Sequence, residues 1–251
     1  MAKVISLHSF RGGTGKSNIT ANLAVALATA GQRVGIVDTD IQSPGIHVIF
    51  GLVGDRVRYT LNDYLWGKCR VTEAAYDVSP HAVPRAKVWL VPSSIKINEI
   101  SRVLHEGYDV RLLKDGFKDL IHGLSLDYLI IDTHPGLNEE TLLSIAISHV
   151  LIIILRPDQQ DYLGTSVTLE VARKLGVPSM FLVLNKVLTD MDPGAYSAQL
   201  QEAYRTPVGA VLPLAIELVR LGSSGLFSLV EPEHRFSQEI KSLAARIVAL
   251  E

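Results

Sequence analysis

The chain has 251 residues, 47% of them hydrophobic, with 24 lysines and arginines against 26 aspartates and glutamates. That length suits one α/β domain with a sizeable core, and a net charge of −2 excludes a global pull toward nucleic acid or an anionic membrane. The single cysteine, Cys69, excludes an intrachain disulfide and a paired-cysteine metal site within one chain.

The apolar run Val4-Ile5-Ser6-Leu7 is predicted to be a strand, not part of a signal peptide. Ser9-Phe10-Arg11-Gly12-Gly13-Thr14-Gly15-Lys16-Ser17 follows it. A helix is then predicted over residues 18–30, with Ile19, Leu23, Ala26 and Leu27 on one face and Gly31 as its stop. Strand, glycine-rich loop and helix in that order form the context of a phosphate-binding loop. Glycines let backbone N–H groups turn inward onto phosphate oxygens, and the helix start aims its partial positive charge at the same place. Lys16 is expected to reach the β- and γ-phosphates and Ser17 to take a place on Mg²⁺. Gly12, Gly13, Thr14, Gly15 and Asn18 complete the expected cradle.

Arg33 to Val37 reads as a strand ending in Asp38-Thr39-Asp40, two acids where open parallel sheets bind ligands. Residues 42–46 fit neither helix nor strand, as a mobile switch would. Between 52 and 87 the pattern yields only a short helix, Leu61 to Trp66, and a loop around Pro80 to Pro84. This region is expected to carry partner specificity. Lys87 to Pro92 is a predicted strand, with Ser93 and Ser94 as caps of the next helix.

Leu126 to Ile131 is a further apolar strand, and its terminal Asp132 has the form of a Walker B carboxylate that serves Mg²⁺. Thr133-His134-Pro135-Gly136 follows, with Gly136 free to move as a second switch. His134 reads as a hydrogen-bonding or interface residue before it reads as an acid or base. Strands and helices then alternate, as in a parallel sheet. Val150 to Leu155 is a central strand, and Tyr162 to Leu175 a helix with Leu163, Val167, Val171 and Leu175 at helical spacing. Met180 to Leu184 leads to Asn185, and Val208 to Leu212 to Pro213. Phe236, Ile240, Leu243, Ile247 and Leu250 form a last helical stripe. Its polar side has Arg235, Lys241 and Arg246 offset by Glu239 and Glu251. It lacks the cationic surplus of a membrane-surface helix, so core packing is expected.

The loop at 9–17 resembles the deviant P-loop of the MinD/ParA family of ATPases, written K-G-G-x-G-K-[ST], with Arg11 in place of the first lysine. Asp38-Thr39-Asp40 and Asp132-Thr133-His134-Pro135-Gly136 match the family's other motifs, and the resemblance covers essentially the whole chain. It implies an α/β P-loop NTPase fold in one domain, residues 1–251, with a doubly wound, mainly parallel sheet flanked by helices. By the same resemblance ATP and Mg²⁺ are the ligands, Asp40 positions the attacking water, and Asp38 supports the metal through water. Asn185 and the backbone at Pro213 and Leu214 then border the adenine. In the family the first lysine crosses a dimer interface to the partner's nucleotide. Arg11 stands in its place, as a planar fork instead of a point charge.

The resemblance further implies a cytoplasmic, ATP-dependent homodimer with slow, partner-stimulated hydrolysis, used to position a division site, DNA or a protein cargo. A protein activator or adaptor is the expected partner; DNA remains possible and a membrane is not favoured. One alternative is a non-hydrolysing nucleotide-dependent scaffold. Another is a metallocluster maturation ATPase like the Mrp and CooC branches, which commonly use paired cysteines that this chain lacks. Residues 42–46 also resemble the Mrp branch. Bacterial tyrosine kinases share related motifs but usually carry a C-terminal tyrosine cluster, absent from this sequence.

Overall fold

The apolar runs of the sequence become the strands of one sheet in the computed structural model, which describes residues 2–250. Met1 and Glu251, the latter counted above on the last helix, lie outside the described residues. The strands are β1 (Lys3–His8), β2 (Arg33–Asp38), β3 (Tyr76–Asp77), β4 (Lys87–Val91), β5 (Tyr128–Asp132), β6 (Val150–Leu155), β7 (Ser179–Val187) and β8 (Val208–Pro213). They lie in the order β3-β4-β2-β5-β1-β6-β7-β8. All neighbours run parallel except β3, a two-residue edge strand antiparallel to β4.

The first helices are α1 (Lys16–Thr29), α2 (Ile46–Ile49), α3 (Leu61–Leu65), α4 (Ile97–Glu106) and α5 (Arg111–Gly123). After β5 come α6 (Glu139–Ala146), α7 (Gln159–Lys174), α8 (Pro193–Tyr204), α9 (Ile216–Leu221), α10 (Phe227–Val230) and α11 (Arg235–Val248). Successive strand residues point to opposite faces. Ile5, Leu7, Ile36 and Ile130 therefore pack with α1 and α11 on one side. Val4, Val37 and Ile131 pack with α5, and Leu151, Ile153 and Leu155 with α7, on the other. Both faces being covered, β5 and β6 read as near-continuous hydrophobic runs.

The final helix belongs to this core. Phe236, Ile240, Leu243 and Ile247 are each at most 1% exposed, and Leu250 packs against the same cluster. Lys3 Nζ donates to the Leu250 carbonyl. No helix among the described residues is long and apolar enough to cross a membrane.

The helix expected after β6 is present, and one local expectation, the serine caps of the helix after β4, is corrected. The apolar stripe expected on the helix after β6 faces outward: Leu163 is 72% exposed, and Val167 and Leu175 are exposed as well. α7 instead buries Gly164, Thr165, Thr168, Leu169 and Ala172, small or compact residues that bring its axis close to the sheet. A Cβ at Gly164 would overlap the Phe10 ring, so the helix and the loop after β1 meet there in direct contact. Ser93 and Ser94 do not cap α4, which starts at Ile97 behind Lys96. Ser93 Oγ donates to the Asp38 carbonyl (2.7 Å), and Ser94 N–H to Asn62 Oδ1 (2.8 Å). They join the end of β2 to α3.

Ile240→Ala tests the core assignment of α11. Urea unfolding should show a loss of about 2–5 kcal/mol, the usual range for emptying a fully buried aliphatic site.

Candidate functional site: a phosphate cradle at the carboxyl edge of the sheet

Register sets the site before any side chain does. Leu7 and Asp38 both pair with Asp132, which aligns the ends of β1, β2 and β5 along one edge. The chain leaves β1 toward β2 on one side and leaves β5 toward β6 on the other, the crevice in which open α/β sheets bind ligands.

The loop from Ser9 to Gly15 turns through two left-handed glycines, Gly13 (φ +74°) and Gly15 (φ +94°). Gly15 is also crowded: a Cβ there would lie 2.6 Å from Asn185 Nδ2. It opens α1 with no side-chain cap, and the first turn contains no acid. The first N–H groups of a 14-residue helix are thus left to a ligand. Lys16 stands at that start, 8% exposed and in no ion pair among the described residues.

Facing it are Asp38 and Asp132, each about 1% exposed. Burial, then the charges of Asp132 and Asp40, push the Asp38 carboxyl well above the usual carboxylate range. Burial likewise raises Asp132, against the pull of Lys16 and the Ser17 and Thr20 hydroxyls. Thr20 Oγ1 donates to Asp132 Oδ1 (3.1 Å). Asp38 Oδ2 is buried with no hydrogen-bond partner, which marks a missing partner. This donor set fits Mg²⁺, which keeps several waters and relies on one or two carboxylates plus phosphate oxygens. No trio of His, Cys, Asp and Glu among the described residues forms a dedicated metal cage. Ser17, Asp132 and, through water, Asp38 are the groups that would serve the ion.

Behind the loop, burial first and Lys16 second lower His8 to about 3. It stays neutral and meets Thr133 Oγ1 through Nδ1 (3.0 Å). Asp40 lies just beyond Asp38, its N–H donating to Asp38 Oδ1 (3.0 Å). His134 Nδ1 approaches Asp40 Oδ1 at 2.7 Å, a pairing between loops 94 residues apart in sequence.

Arg11 turns elsewhere. Its Nη1 lies 3.4 Å from Asp158 Oδ1 and 3.9 Å from Asp161 Oδ1, at the start of α7. The Asp158 pair is half-exposed and of a kind worth about 0–1 kcal/mol, and the buried Asp161, at the longer distance, is already held through both oxygens by Arg156, so the guanidinium is lightly held.

On the far side of Gly15 opens a cavity of about 320 Å³, lined by Gly13, Gly15, Asn18, Asn185 and Pro213, with Leu214 beside them. It gathers the residues expected to border a base. The Asn185 amide is partly committed: Nδ2 donates to the Thr14 carbonyl (2.7 Å) and Oδ1 accepts from Lys186 N–H (2.9 Å). One donor and one acceptor position remain on it. Lys186 went unassigned in the sequence. With φ +61°, unusual for lysine, it donates through Nζ to the Gly13 carbonyl (2.8 Å) and so braces the loop. A larger cavity, about 890 Å³, lies between residues 49–56, 77–87 and 224–230, away from this edge.

An uncapped helix start with a buried lysine and two buried carboxylates, at the switch point of a doubly wound sheet, defines a P-loop NTPase. A model of the ParA family, described as NUBPL iron-transfer P-loop NTPase, matches residues 1–248. The chain belongs to the ParA family, whose members are generally ATPases. It is 30% identical to an uncharacterized ATP-binding protein of Methanocaldococcus jannaschii, over 99% of this chain and 88% of that protein. It is 26% identical to the flagellum site-determining protein YlxH of Helicobacter pylori, over 98% of this chain and 82% of that one. An iron-sulfur cluster carrier of Rickettsia prowazekii is 30% identical over 84% of this chain, which spans only 61% of the carrier. Among solved structures, MinD of Pyrococcus horikoshii complexed with Mg-ADP superposes with a TM-score of 0.82 at 26% identity, over 99% of this chain and 97% of that one. The cell division ATPase MinD of Pyrococcus furiosus gives 0.83 at 26% identity, over the full length of both.

The raised pKa of Asp38 sets a sign. Where the folded value exceeds the unfolded one, the fold keeps a proton that the unfolded chain has lost, so stability falls as pH rises from the unfolded value to the folded one and stays lower above it. Asp38→Asn should raise the melting temperature of the nucleotide-free protein by several degrees at neutral pH, since about 1 kcal/mol is worth roughly 2–4 °C at this size. Differential scanning fluorimetry across pH should show the gain shrinking as the solution is acidified.

Proposed function

We propose that this chain is an ATP-dependent dimerisation switch that hydrolyses ATP slowly and positions a cargo inside the cell. What supports the reading most is the meeting of Lys16, Asp38 and Asp132 at an uncapped helix start, with Asp40 tethered beside them. ATP would lay its terminal phosphates on the amides of Gly12 to Ser17, with the Lys16 ammonium against the β- and γ-oxygens. Bound Mg²⁺ would neutralise charge building on those oxygens during transfer. The base would enter the cavity bordered by Asn185 and Pro213. Asp40, at the mouth of the site, would orient water for attack on the γ-phosphate.

Two copies would close face to face across the phosphates. Leaving Asp158 costs Arg11 little, so it can stabilise phosphate charge in the partner. Leu163 and Val167, exposed on α7 next to the seat of Phe10, give that face apolar surface to bury. The relatives named for site determination favour a positioning task. A protein activator or adaptor in the cytoplasm would set the timing, with DNA as a possible cargo. The burial of the α11 stripe argues against a membrane as the working surface.

A second reading, iron–sulfur carriage, draws on the description of the family model and on the carriers among the relatives. Its cluster would need Cys69 from two copies. That thiol is partly buried, and burial pushes its pKa up, away from the thiolate form that binds metal. The switch is the better-supported function.

Lys16→Ala should abolish ATP binding measured by calorimetry; unchanged affinity would remove the P-loop assignment. Asp40→Ala should still bind ATP but release no phosphate, and light scattering should show its mass doubling with Mg-ATP. A monomer under those conditions would count against the switch. Native protein that dimerises with ATP yet releases no phosphate would leave the non-hydrolysing scaffold.

A further inference from the structure

Asp40 and His134 stand on loops that leave adjacent strands, β2 and β5. The roots of these loops are already tied. Thr39 N–H and Oγ1 both donate to the Asp132 carbonyl (3.0 and 3.1 Å), Thr133 Oγ1 donates to the Leu7 carbonyl (2.8 Å), and Gly136 N–H to the Ser9 carbonyl (3.2 Å). Beyond these roots, the 2.7 Å contact of His134 Nδ1 with Asp40 Oδ1 is the one hydrogen bond joining the two loops among the described residues.

The chemistry of the contact fixes its polarity. An ionised carboxylate only accepts, so Nδ1 must carry the hydrogen. Ser43 N–H donates to the same Asp40 oxygen at 3.2 Å. Two donors from different directions hold Oδ1 and stop the carboxylate from rotating. Oδ2 accepts no hydrogen bond from the described residues and is left for another donor. The His134 and Asp40 side chains are 22% and 15% exposed, half-shielded at the mouth of the site. A charge-assisted bond there is stronger than one in open water.

We propose that His134 is a positioning residue: it pins Asp40 Oδ1 so that Oδ2 faces the attacking water, and it makes the two loops respond to the γ-phosphate as one body. The inference rests on the ATPase reading, to which it adds the group that aims Asp40. A carboxylate free to rotate would present its oxygens to the water for only part of the time, and misplacement on the scale of 1 Å costs about a hundredfold in rate. The carbonyl of His134, which accepts from Thr141 Oγ1 at 3.4 Å, carries the same constraint to the first turn of α6.

The test compares native protein, His134→Ala and His134→Asn, since an asparagine amide N–H can stand where Nδ1–H stood. ATP affinity should stay within about twofold in all three, because His134 touches no group assigned to the phosphates. In His134→Ala, kcat should fall about tenfold or more with KM unchanged, and His134→Asn should recover most of it. Deuterium exchange without nucleotide supplies a readout independent of hydrolysis: amides of residues 40–46 should exchange faster in His134→Ala and at the native rate in His134→Asn. Native kcat and native exchange in His134→Ala would overturn the inference, and so would an asparagine variant as impaired as the alanine one. Should native protein bind ATP without turnover, the ATPase reading fails by itself, and unchanged exchange at 40–46 would still overturn the tie between the loops.

Discussion

Two carboxylates about 1% exposed stand in register on neighbouring strands, and the rest of the structure is built around the positive charge that answers them. Asp38 and Asp132 cannot both be comfortably ionised in a dry crevice on their own. Lys16 supplies part of the answer, and the hydroxyls of Ser17 and Thr20 supply more. One Asp38 oxygen still has no hydrogen-bond partner among the described residues. Stability is given up at this one edge while two layers of helices hold the sheet beneath it. Such an exchange is common at sites where function needs charge in a dry place.

Much of this was legible in the sequence because its signals are local. A strand, a glycine-rich turn and a helix occupy fewer than thirty consecutive residues, and the acids at 38, 40 and 132 each close an apolar run. The sheet and its central strands follow from the same runs. What stayed hidden depends on residues far apart. The exposed side of α7 reads as apolar at helical spacing, whereas its buried side uses Gly164 and Ala172 to approach the sheet. Period alone finds a stripe but not which way it faces. β3 has two residues and pairs at an edge, too short to leave a pattern. Ser93 and Ser94 look like caps because of their type, yet Asp38 and Asn62, far off in sequence, claim their hydrogen bonds. The tie between His134 and Asp40 and the brace from Lys186 to Gly13 were equally out of reach, since each joins segments by topology.

Relatives fix the family and leave the task open. A ParA-family chain that resembles MinD structures over its whole length also matches iron–sulfur carriers over part of theirs. The fold is common to both, so the division between them must lie in side chains off the shared core. In this chain those are a lone, partly buried Cys69 and an arginine where the family motif has lysine.

The contact between Phe10 and Gly164 has a consequence of its own. Arg11 and Asp158 attract each other through half-exposed charge, which dissolved ions weaken over about 8–10 Å. The benzyl ring one residue earlier is held by shape alone, in a hollow that exists because position 164 has no side chain. High ionic strength would therefore loosen the guanidinium from Asp158 without unseating the loop that bears it. Brine and fresh water would find the same backbone with a differently available arm.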